Sequence, residues 1–318
     1  MNMRAAIIAA PKTVRIVEAP RPEPKPGQIV VRMLGCGLCA SNLPLWEGRR
    51  WFEYPQPPGA PGHEGWGVVD EIGDGVSNVR RGQLVATLST NSYAEYDVAD
   101  IASVLPLPSS FASLPVALEP LGCVMNIYSR SAIQPQETVA IVGAGFIGLA
   151  LSRIISKKAK RVFVLSKRKR LSEFLTGTRT TGFDLSDSLK AIEEIRGSTR
   201  GRGCDCVIET GGYQQTLDIA SELTRERGRL VIAGYHQDGL RQVNMQAWNW
   251  KGLDVINAHE RETRAYIEGM NAALRTIGSG QIDPWSLFTH KFDLDRLGEA
   301  FQLMANRPAD FVKAWIQL

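Results

Sequence analysis

The chain has 318 residues, of which 44% are hydrophobic and 22% are charged. This composition excludes an intrinsically disordered or a fibrous protein, and the length indicates about two domains of ordinary size. The 37 Lys and Arg residues only slightly exceed the 33 Asp and Glu residues. A net charge this small gives no reason to expect nucleic acid or a membrane as a partner.

The amino terminus and the cysteines indicate the compartment. The opening segment MNMRAAIIAA soon reaches a polar run, and no segment contains the roughly eighteen apolar residues that span a bilayer. The five cysteines are odd in number and scattered along the chain, which is unlike a disulfide framework and typical of a reducing environment. We therefore expect a cytoplasmic protein.

The first part of the chain, up to about residue 105, consists of short strand patterns separated by turn residues. The segments RAAIIAA, TVRIVEA, QIVVRML and WGVVDEIG are rich in β-branched residues, and Gly, Pro, Asn and Asp residues lie between them. This spacing predicts a β-rich, barrel-like unit.

From Glu137 onward, apolar strand patterns alternate with helical patterns. TVAIVGAG precedes the helix-like FIGLALSRIISKKA and the strand-like RVFVLS, and further strand patterns follow at CDCVIET, GRLVIAG and LDVINA. This alternation predicts an α/β fold, namely a doubly wound, mostly parallel sheet covered by helices on both faces.

A glycine fingerprint lies between the first strand and the first helix of this α/β unit. Gly143, Gly145 and Gly148 form the motif G-A-G-F-I-G, in which Phe146 and Ile147 begin the predicted helix. The first glycine allows a tight turn, the second lets the backbone approach a pyrophosphate, and the third lets helix and strand pack closely. The helix N-terminus would then hold the phosphates. We interpret these five residues as cofactor-binding, and the alternative is a plain glycine-rich turn.

The end of the second strand indicates which dinucleotide binds. An acidic residue there would bind the ribose hydroxyls of NAD, but the chain has Ser166, Lys167 and Arg168, followed by two further cations. Hydroxyl and guanidinium groups bind a 2′-phosphate through charge-assisted hydrogen bonds. The sequence therefore predicts NADP rather than NAD, with these three residues as contacts. The alternative is a solvated helix start, although cations at that end oppose the helix dipole.

The segment after residue 258 is too short to form a domain of its own. It contains two helical patterns and ends in the strand-like FVKAWIQL. We expect it to pack on the β-rich unit, so that the nucleotide-binding module is an insertion. The predicted domains are a catalytic domain of residues 1–122 and 259–318 and a dinucleotide-binding domain of residues 123–258.

Cys39 and His63 are candidate zinc ligands. Cys39 lies in GCGLCASN and His63 in PGHEGWGVV, where Glu64 follows directly. Thiolate and imidazole are the usual zinc ligands, and a catalytic site leaves one position open. The two residues alone do not establish a site, because isolated Cys and His residues occur in any chain of this length.

The order of several motifs is more specific than any one of them. GCGLCASN, PGHEGWGVVDEIGDGV, SYAEYDVA, LEPLGCVM, VAIVGAGFIGLA and GRLVIAG, in this order, resemble the medium-chain dehydrogenase/reductase superfamily, and in particular its zinc-dependent alcohol and polyol dehydrogenases. The resemblance covers nearly the whole chain. It implies a GroES-like catalytic domain, a Rossmann domain, and hydride transfer between a nicotinamide and an alcohol or ketone.

The resemblance also implies roles for residues around one catalytic zinc. Cys39 and His63 match the zinc ligands of the family, and Glu64 matches a glutamate beside the site that can approach the metal. Glu119, in LEPLG, matches a glutamate that polyol dehydrogenases place near or at the zinc. Ser41 falls on the hydroxyl position that passes the substrate proton towards solvent. The predicted catalytic residues are therefore Cys39, Ser41, His63 and Glu64, and the predicted metal ligands are Cys39, His63, Glu64 and Glu119.

Other positions match the family only in part. Lys313 falls where relatives often carry a cation for the cofactor pyrophosphate. Asn42 stands in place of an aspartate that accepts a hydrogen bond from the zinc-bound histidine, and Pro44 replaces a histidine of the proton relay. Cys123 is interpreted as a small buried residue. The cysteine-rich lobe that holds a structural zinc in many relatives is absent, so we expect one zinc at most.

Two tryptophans are candidate substrate contacts. Trp46 and Trp51 lie between the two zinc ligands, with Phe52 and Tyr54 nearby, in a segment where relatives place substrate-facing side chains. Aromatic rings supply large apolar walls, but ordinary packing explains each residue equally well. The remaining histidines lack a partner motif and are interpreted as surface or core residues: His236, His259 and His290.

The leading hypothesis is a zinc-dependent oxidoreductase that transfers a hydride between NADP(H) and a secondary alcohol or its ketone, with a polyol or cyclitol as the candidate substrate. Two alternatives stay open. One is a metal-free NADP(H)-dependent quinone or enone reductase of the same superfamily, and the other is a catalytically idle NADP-binding protein. Besides the small-molecule substrate, the expected partners are further copies of the chain, in a homodimer or homotetramer.

Overall fold

The computed structural model describes residues 1–237 and 239–318. The strands are β1 (Asn2–Ala10), β2 (Thr13–Pro20), β3 (Gln28–Gly37), β4 (Gly65–Ile72), β5 (Leu84–Thr87), β6 (Tyr96–Asp100), β7 (Val104–Pro106), β8 (Thr138–Val142), β9 (Arg161–Ser166), β10 (Thr180–Asp184), β11 (Cys204–Glu209), β12 (Thr224–Ile232), β13 (Asp254–Asn257), β14 (Phe288–Asp293) and β15 (Lys313–Gln317). The α-helices are α1 (Leu43–Glu47), α2 (Glu119–Ser131), α3 (Phe146–Ile155), α4 (Leu171–Phe174), α5 (Ser188–Ser198), α6 (Gln214–Leu223), α7 (Met245–Lys251), α8 (Thr263–Gly278) and α9 (Leu297–Asn306).

Contacts divide the chain into two compact units. The first comprises Met1–Gly122, Glu262–Arg275 and Asp283–Leu318, and the second comprises Cys123–Arg261 and Thr276–Ile282. Both ends of the chain therefore lie in the first unit, and one long continuous stretch forms most of the second.

The first unit is built on mainly antiparallel strands around β3. This strand pairs with β4, β6 and β15, and the sheet continues through β5 to β7 on one side and to β14 on the other. β1 and β2 form a separate two-stranded sheet. Ile29, Val30 and Val31 of β3 are all buried, as expected for a β-branched run at the centre of a sheet. The β-rich unit that the short strand patterns predicted is confirmed, and the last strand of the chain belongs to the same sheet as β3.

Aromatic packing joins the start and the end of the chain inside the first unit. Phe301 of α9 stacks on Trp46 of α1, with ring centroids 5.2 Å apart, and meets Tyr93 edge-on at 6.1 Å. All three side chains are buried, so they contribute large apolar areas as well as favourable ring geometry. This packing fixes α1, which follows the Cys39 loop directly.

The second unit is a parallel sheet of six strands in the order β10-β9-β8-β11-β12-β13. The order reverses between β8 and β11, which is the doubly wound arrangement, and the predicted parallel sheet is confirmed. Its strands are buried apolar runs such as TVAIV in β8. All the strands point the same way, so their carboxyl ends and the loops that follow them lie at one edge.

None of the helices in the described parts of the chain combines the length and the hydrophobicity that a membrane-spanning helix needs.

Candidate metal centre and dinucleotide-binding site

Cys39, His63 and Glu64 lie together in the first unit. Cys39 follows the end of β3, and His63 and Glu64 immediately precede β4. These strands are antiparallel neighbours in which Cys36 pairs with Gly65, so the exit of one lies beside the entry of the other. As a result, one ligand atom each from Cys39, His63 and Glu64 lies within 4.8 Å of the other two.

The loop that carries His63 is held by close backbone packing. Gly62 lies so near the following loop that a Cβ there would be 2.7 Å from the backbone nitrogen of Tyr93. The nitrogen of Ser92 donates to the Gly62 carbonyl at 3.0 Å, and the nitrogen of Tyr93 donates to the Gly59 carbonyl at 3.0 Å. Only glycine permits this approach at position 62, which gives a physical reason for the PGHEG pattern.

The backbone also orients the imidazole of His63. Its Nδ1 lies 3.0 Å from the carbonyl oxygen of Pro61, which can only accept a hydrogen bond. Nδ1 therefore carries the proton, and Nε2 is the ring nitrogen left for a metal. Asn42, which stands where relatives place the orienting aspartate, instead accepts a long hydrogen bond of 3.5 Å from the Tyr93 hydroxyl. The Pro61 carbonyl thus has the role that the sequence suggested for position 42.

The charges of the cluster indicate a place for a cation. Burial alone would lower the pKa of His63, but the hydrogen bond and charge of Cys39 and the charges of Glu119 and Glu64 raise it to about 10. In addition, Oε2 of Glu64 is buried and has no hydrogen-bond partner among the residues described. The raised pKa reflects the negative charge around His63, and a metal ion that displaces the proton from Nε2 would also give Oε2 of Glu64 a partner.

The donor set fits zinc. Thiolate, imidazole and carboxylate are its usual protein ligands, and tetrahedral bonds of about 2.0–2.3 Å place neighbouring ligand atoms about 3.3–3.8 Å apart. Separations of up to 4.8 Å need only small side-chain movements to reach that geometry. Glu119, the first residue of α2, lies outside this group of three although its charge acts on His63, and its role as a ligand stays a prediction.

Lys313, which the sequence predicted only as a cofactor contact, lies beside this cluster and pairs with Glu64, a contact that the sequence did not indicate. Its Nζ donates to Oε1 of Glu64 at 2.5 Å, and the two side chains are 6% and 0% exposed. Burial alone would lower the pKa of Lys313, but the charges of Glu64 and Cys39 outweigh burial and raise it. The predicted contact of Lys313 with the cofactor pyrophosphate stays a prediction, and the structure adds a buried anionic partner for its ammonium group.

The remaining predicted residues of the first unit differ in their surroundings. The hydroxyl of Ser41 donates to the sulfur of Cys39 at 3.2 Å, so it lies directly beside the cluster. Trp46 is 3% exposed and stacked on Phe301 in the core, which favours packing over substrate contact. Trp51 is 57% exposed and lies against Phe52, with ring centroids 6.0 Å apart, so its side chain is accessible to a ligand.

The glycine fingerprint adopts the geometry that a dinucleotide requires. Gly143 has a φ of +117°, and a Cβ there would lie 2.7 Å from Oγ1 of Thr210. A Cβ at Gly148 would lie 2.0 Å from the Gly143 carbonyl oxygen, whereas a Cβ at Gly145 would meet nothing within 4 Å. The first and third glycines are therefore needed for packing, and the second leaves open space at the start of α3. The helix begins at Phe146, which is buried, and no acidic residue lies in its first turn, so its N-terminus is suited to phosphate.

Ser166 and Arg168 lie at the carboxyl end of β9, beside the fingerprint. Oγ of Ser166 accepts a hydrogen bond of 3.1 Å from the Arg168 backbone nitrogen. The guanidinium of Arg168 lies 5.0 Å from the ring centroid of Phe174, and its Nε donates to the carbonyl of Ala144 at 3.3 Å. Nζ of Lys167 donates to the Gln215 side chain at 3.0 Å. The structure therefore places the Arg168 side chain beside the glycine turn, and the roles of Ser166, Lys167 and Arg168 as contacts of a 2′-phosphate stay predictions.

Comparison with known proteins gives a consistent result. Residues 25–109 match the family Alcohol dehydrogenase GroES-like domain, which confirms the predicted GroES-like unit. Erythritol/L-threitol dehydrogenase of Mycolicibacterium smegmatis is 27% identical over 356 residues, covering 96% of this chain and 95% of the relative. A protein of Sinorhizobium meliloti 1021, described as a zinc-binding dehydrogenase bound to NADP, has a TM-score of 0.85 at 22% identity, with 100% of each chain covered. The protein rspB of Escherichia coli CFT073, in complex with NADH, has a TM-score of 0.86 at 21% identity, covering 100% and 99% of the two chains. The two structural likenesses establish the fold.

Proposed function

We propose that the chain is a member of the medium-chain dehydrogenase/reductase superfamily, whose zinc-dependent alcohol and polyol dehydrogenases it resembles, and that it transfers a hydride between NADP(H) and a secondary alcohol or its ketone. The observation that carries the proposal is the group of Cys39, His63 and Glu64, in which the buried Oε2 of the glutamate has no hydrogen-bond donor among the described residues. A thiolate, an imidazole and a carboxylate that converge in this way form a catalytic rather than a closed structural zinc site.

The residues of the cluster have separate tasks in this proposal. Cys39, His63 and Glu64 would hold the zinc ion, with Glu119 at its edge. When bound, zinc polarises the substrate oxygen and lowers the pKa of an alcohol. His63 keeps its proton on Nδ1 through the Pro61 carbonyl, so Nε2 stays available as a ligand. Ser41, 3.2 Å from the Cys39 sulfur, is placed to accept the alcohol proton and pass it on.

The cofactor assignment depends on this chain's own residues, because one structural neighbour holds NADP and another holds NADH. Gly143 and Gly145 would admit the pyrophosphate to the start of α3, which supplies backbone N–H groups. Ser166 and Arg168 would bind the 2′-phosphate, since the end of β9 carries no carboxylate to repel it. NADP is therefore the cofactor that we propose.

A polyol or cyclitol is the substrate class that we propose. Glu119 supports it, because its carboxylate adds hydrogen-bond acceptor capacity beside the cluster. The relative from Mycolicibacterium smegmatis is named for erythritol and L-threitol, which are polyols. Exposed Trp51 would supply an apolar surface for the carbon chain.

Zinc content and turnover test the proposal together. We expect about one equivalent of zinc in wild type expressed with added metal, measured by elemental analysis, and NADPH-dependent reduction of ketones derived from polyols. Cys39→Ser should lose both, whereas Cys123→Ser, in a cysteine outside the cluster, should keep both. Less than a tenth of an equivalent of zinc with reduction of quinones or enones would favour the metal-free reductase. Equal, measurable turnover in wild type and Cys39→Ser would also favour the metal-free reductase, and absent turnover in both would favour the idle binding protein.

Cofactor choice is tested by titrating NADPH and NADH side by side. Arg168→Gln should weaken NADPH binding by at least about tenfold, as expected when a charge-assisted hydrogen bond is lost, and leave NADH binding nearly unchanged. Lys169→Gln, in an exposed neighbouring cation, is the matched control. Tighter binding of NADH than of NADPH by wild type would contradict the assignment.

We also propose that the chain forms a homodimer or homotetramer in the cytoplasm. β13 is the outer strand of the parallel sheet and pairs only with β12 among the residues described. Val255 on this strand is 38% exposed, and Trp250 at the end of α7 is 85% exposed. An open strand edge with exposed apolar side chains is a surface that a second copy would cover. Val255→Lys should shift the mass measured by light scattering towards the monomer, whereas Leu189→Lys, at an exposed leucine on α5, should not.

A further inference from the structure

Glu209 is a fully buried carboxylate at the carboxyl end of β11, and the proposed reaction gives it no role. Its Oε1 accepts hydrogen bonds from the backbone nitrogens of Gly211 and Gly212, at 2.8 and 2.7 Å, and from the hydroxyl of Thr216 at 2.6 Å. These three donors belong to the turn after β11 and to the start of α6. A buried carboxylate is stable only when its oxygens are supplied with donors in this way.

The second oxygen of Glu209 extends the network to the loop after β12. Oε2 lies 3.0 Å from Nε2 of His236, and Nδ1 of the same ring accepts a hydrogen bond of 3.0 Å from Nε of Arg241. Arginine can only donate, so Nδ1 is the unprotonated nitrogen and Nε2 carries the proton that Glu209 accepts. Arg241 also donates from Nη2 to the Gly212 carbonyl at 3.0 Å, which closes a ring of contacts between the two loops.

The two loops are in direct contact at this point. A Cβ at Gly234 would lie 2.4 Å from the Gly212 nitrogen and 2.5 Å from Oε2 of Glu209. Thr210, the residue after Glu209, donates from its hydroxyl to the carbonyl of Gly143 at 2.9 Å. The network therefore connects the loops after β11 and β12 with the turn of the glycine fingerprint after β8.

This position belongs to one half of the parallel sheet. Doubly wound sheets of this order consist of two mononucleotide-binding halves, and the dinucleotide lies across the carboxyl ends where the strand order reverses. Ser166 and Arg168 lie at the end of β9, in the half formed by β8, β9 and β10. Glu209 and His236 lie in the other half, formed by β11, β12 and β13.

We propose that Glu209, His236 and Arg241 are positioning residues that shape the binding site for the nicotinamide nucleotide and leave the adenosine end unaffected. The inference rests on the proposed function, since it requires a bound dinucleotide. The proposal is based on His236, whose ring links Glu209 at the end of β11 to Arg241 in the loop after β12 and is held in one tautomer by these two hydrogen bonds. Without that connection, the loop after β12 keeps the backbone hydrogen bonds from Ala233 and Gly234 to the Glu209 carbonyl but loses its link to the Glu209 carboxylate. The part of the loop beyond Gly234 is then no longer held, and the nicotinamide end loses a preformed surface.

The two halves of the cofactor provide the test. Binding of NADPH and of 2′,5′-ADP, which contains only the phosphorylated adenosine end, is measured by calorimetry on the full chain. His236→Ala should weaken NADPH binding by at least about tenfold, the loss typical of one hydrogen bond to a charged group, and change 2′,5′-ADP binding less than about twofold. Arg168→Gln is the matched control in the other half and should weaken both ligands.

A conservative variant separates positioning from general damage to the fold. His236→Gln retains an N–H donor for Glu209 and an acceptor for Arg241, so it should recover most of the NADPH affinity. If His236→Ala does not fold, Arg241→Ala, in a half-buried residue, gives the same comparison. Equal weakening of both ligands, or unchanged NADPH binding, would overturn the inference. A wild type that binds neither ligand would instead refute the proposed function.

Discussion

The ion pair between Lys313 and Glu64 leads to a prediction about both stability and metal binding. The two charged atoms are 2.5 Å apart, and the side chains are 6% and 0% exposed, so solvent screens them little. Lys313→Met removes the ammonium and leaves a buried carboxylate, and loss of one partner of such a pair reduces the free energy of unfolding by about 3–5 kcal/mol. At about 2–4 °C for each kcal/mol in a domain of 150–250 residues, the melting temperature of the metal-free protein should fall by roughly 6–20 °C.

Zinc should change the size of this effect. A divalent ion supplies the positive charge that Lys313→Met removes, so the variant should gain more thermal stability from added zinc than wild type does. Calorimetry on chelator-treated and zinc-loaded samples measures both states. The double variant Lys313→Met/Glu64→Gln should recover most of the loss, because both buried charges are then absent. Lys25→Met, in an exposed lysine, is the control.

Two results would refute this reasoning. The first is a metal-free Lys313→Met protein that melts no lower than Lys25→Met. The second is an equal gain from zinc in wild type and variant. The zinc-loaded variant also tests the predicted pyrophosphate contact, because that contact requires weaker NADPH binding after the substitution, whereas the ion pair alone does not.

Three further predictions concern the glycines, the thiols and the pH dependence of metal binding. Gly145→Ala should change the free energy of unfolding by less than about 0.5 kcal/mol, because its Cβ meets open space, yet it should weaken NADPH binding at least about tenfold. Gly148→Ala should instead destabilise the fold by about 1–3 kcal/mol, because its Cβ would lie 2.0 Å from a carbonyl oxygen. Burial raises the pKa of the Cys204 and Cys206 thiols to about 12 and that of the Cys36 thiol well above its usual value. A thiol reagent at pH 8 should therefore modify these three cysteines only after unfolding. The pKa of His63 is raised from 6.5 to about 10 in the metal-free state, so a proton competes with zinc for His63 between pH 7 and pH 9. Zinc affinity, measured with a chromophoric chelator, should therefore rise about tenfold for each pH unit in this range. The same raised pKa stabilises the metal-free fold below pH 6.5 and loses this contribution as the pH approaches 10, so the melting temperature of the metal-free protein should fall with pH more than that of the zinc-loaded protein. Rapid labelling of the three thiols in native protein, improved folding of Gly148→Ala, or a flat pH profile of zinc affinity would contradict the respective statement.

The doubly wound sheet was predictable because its signals are local. The apolar run before Gly143, the fingerprint and the helical pattern after it lie in one continuous segment, so strand, turn and helix can each be identified from neighbouring residues. β10 was not predicted. It is an outer strand with no buried residues, and its sequence TTGFD has no apolar run, whereas β13, the other outer strand, retains the adjacent Val255 and Ile256 that identified it.

The grouping of Cys39, His63 and Glu64 was predictable only through the resemblance, and the contacts around the group were not predictable from the sequence. Lys313 and Glu64 are 249 positions apart, and a lysine in a terminal strand carries no signal that it will become buried beside a carboxylate. The partner of His63 Nδ1 is a backbone carbonyl, which any residue could supply, so the residue types at positions 61 and 42 do not indicate this hydrogen bond. Interactions of this kind depend on which strands become neighbours, and that information is distributed over the whole chain.

The buried lysine also explains why the cluster fits a catalytic better than a structural metal site. In a closed structural site the metal is the main source of positive charge, so the fold depends on it. Here Lys313 already neutralises one oxygen of Glu64, and a proton on His63 supplies further positive charge when no metal is bound. We therefore expect the protein to fold around the cluster without zinc, and in the proposed reaction part of the binding energy of the ion would be left to act on a substrate oxygen instead of on folding. The other oxygen of Glu64 has no donor among the residues that the structure describes, so it would remain available to a metal ion in the proposed reaction.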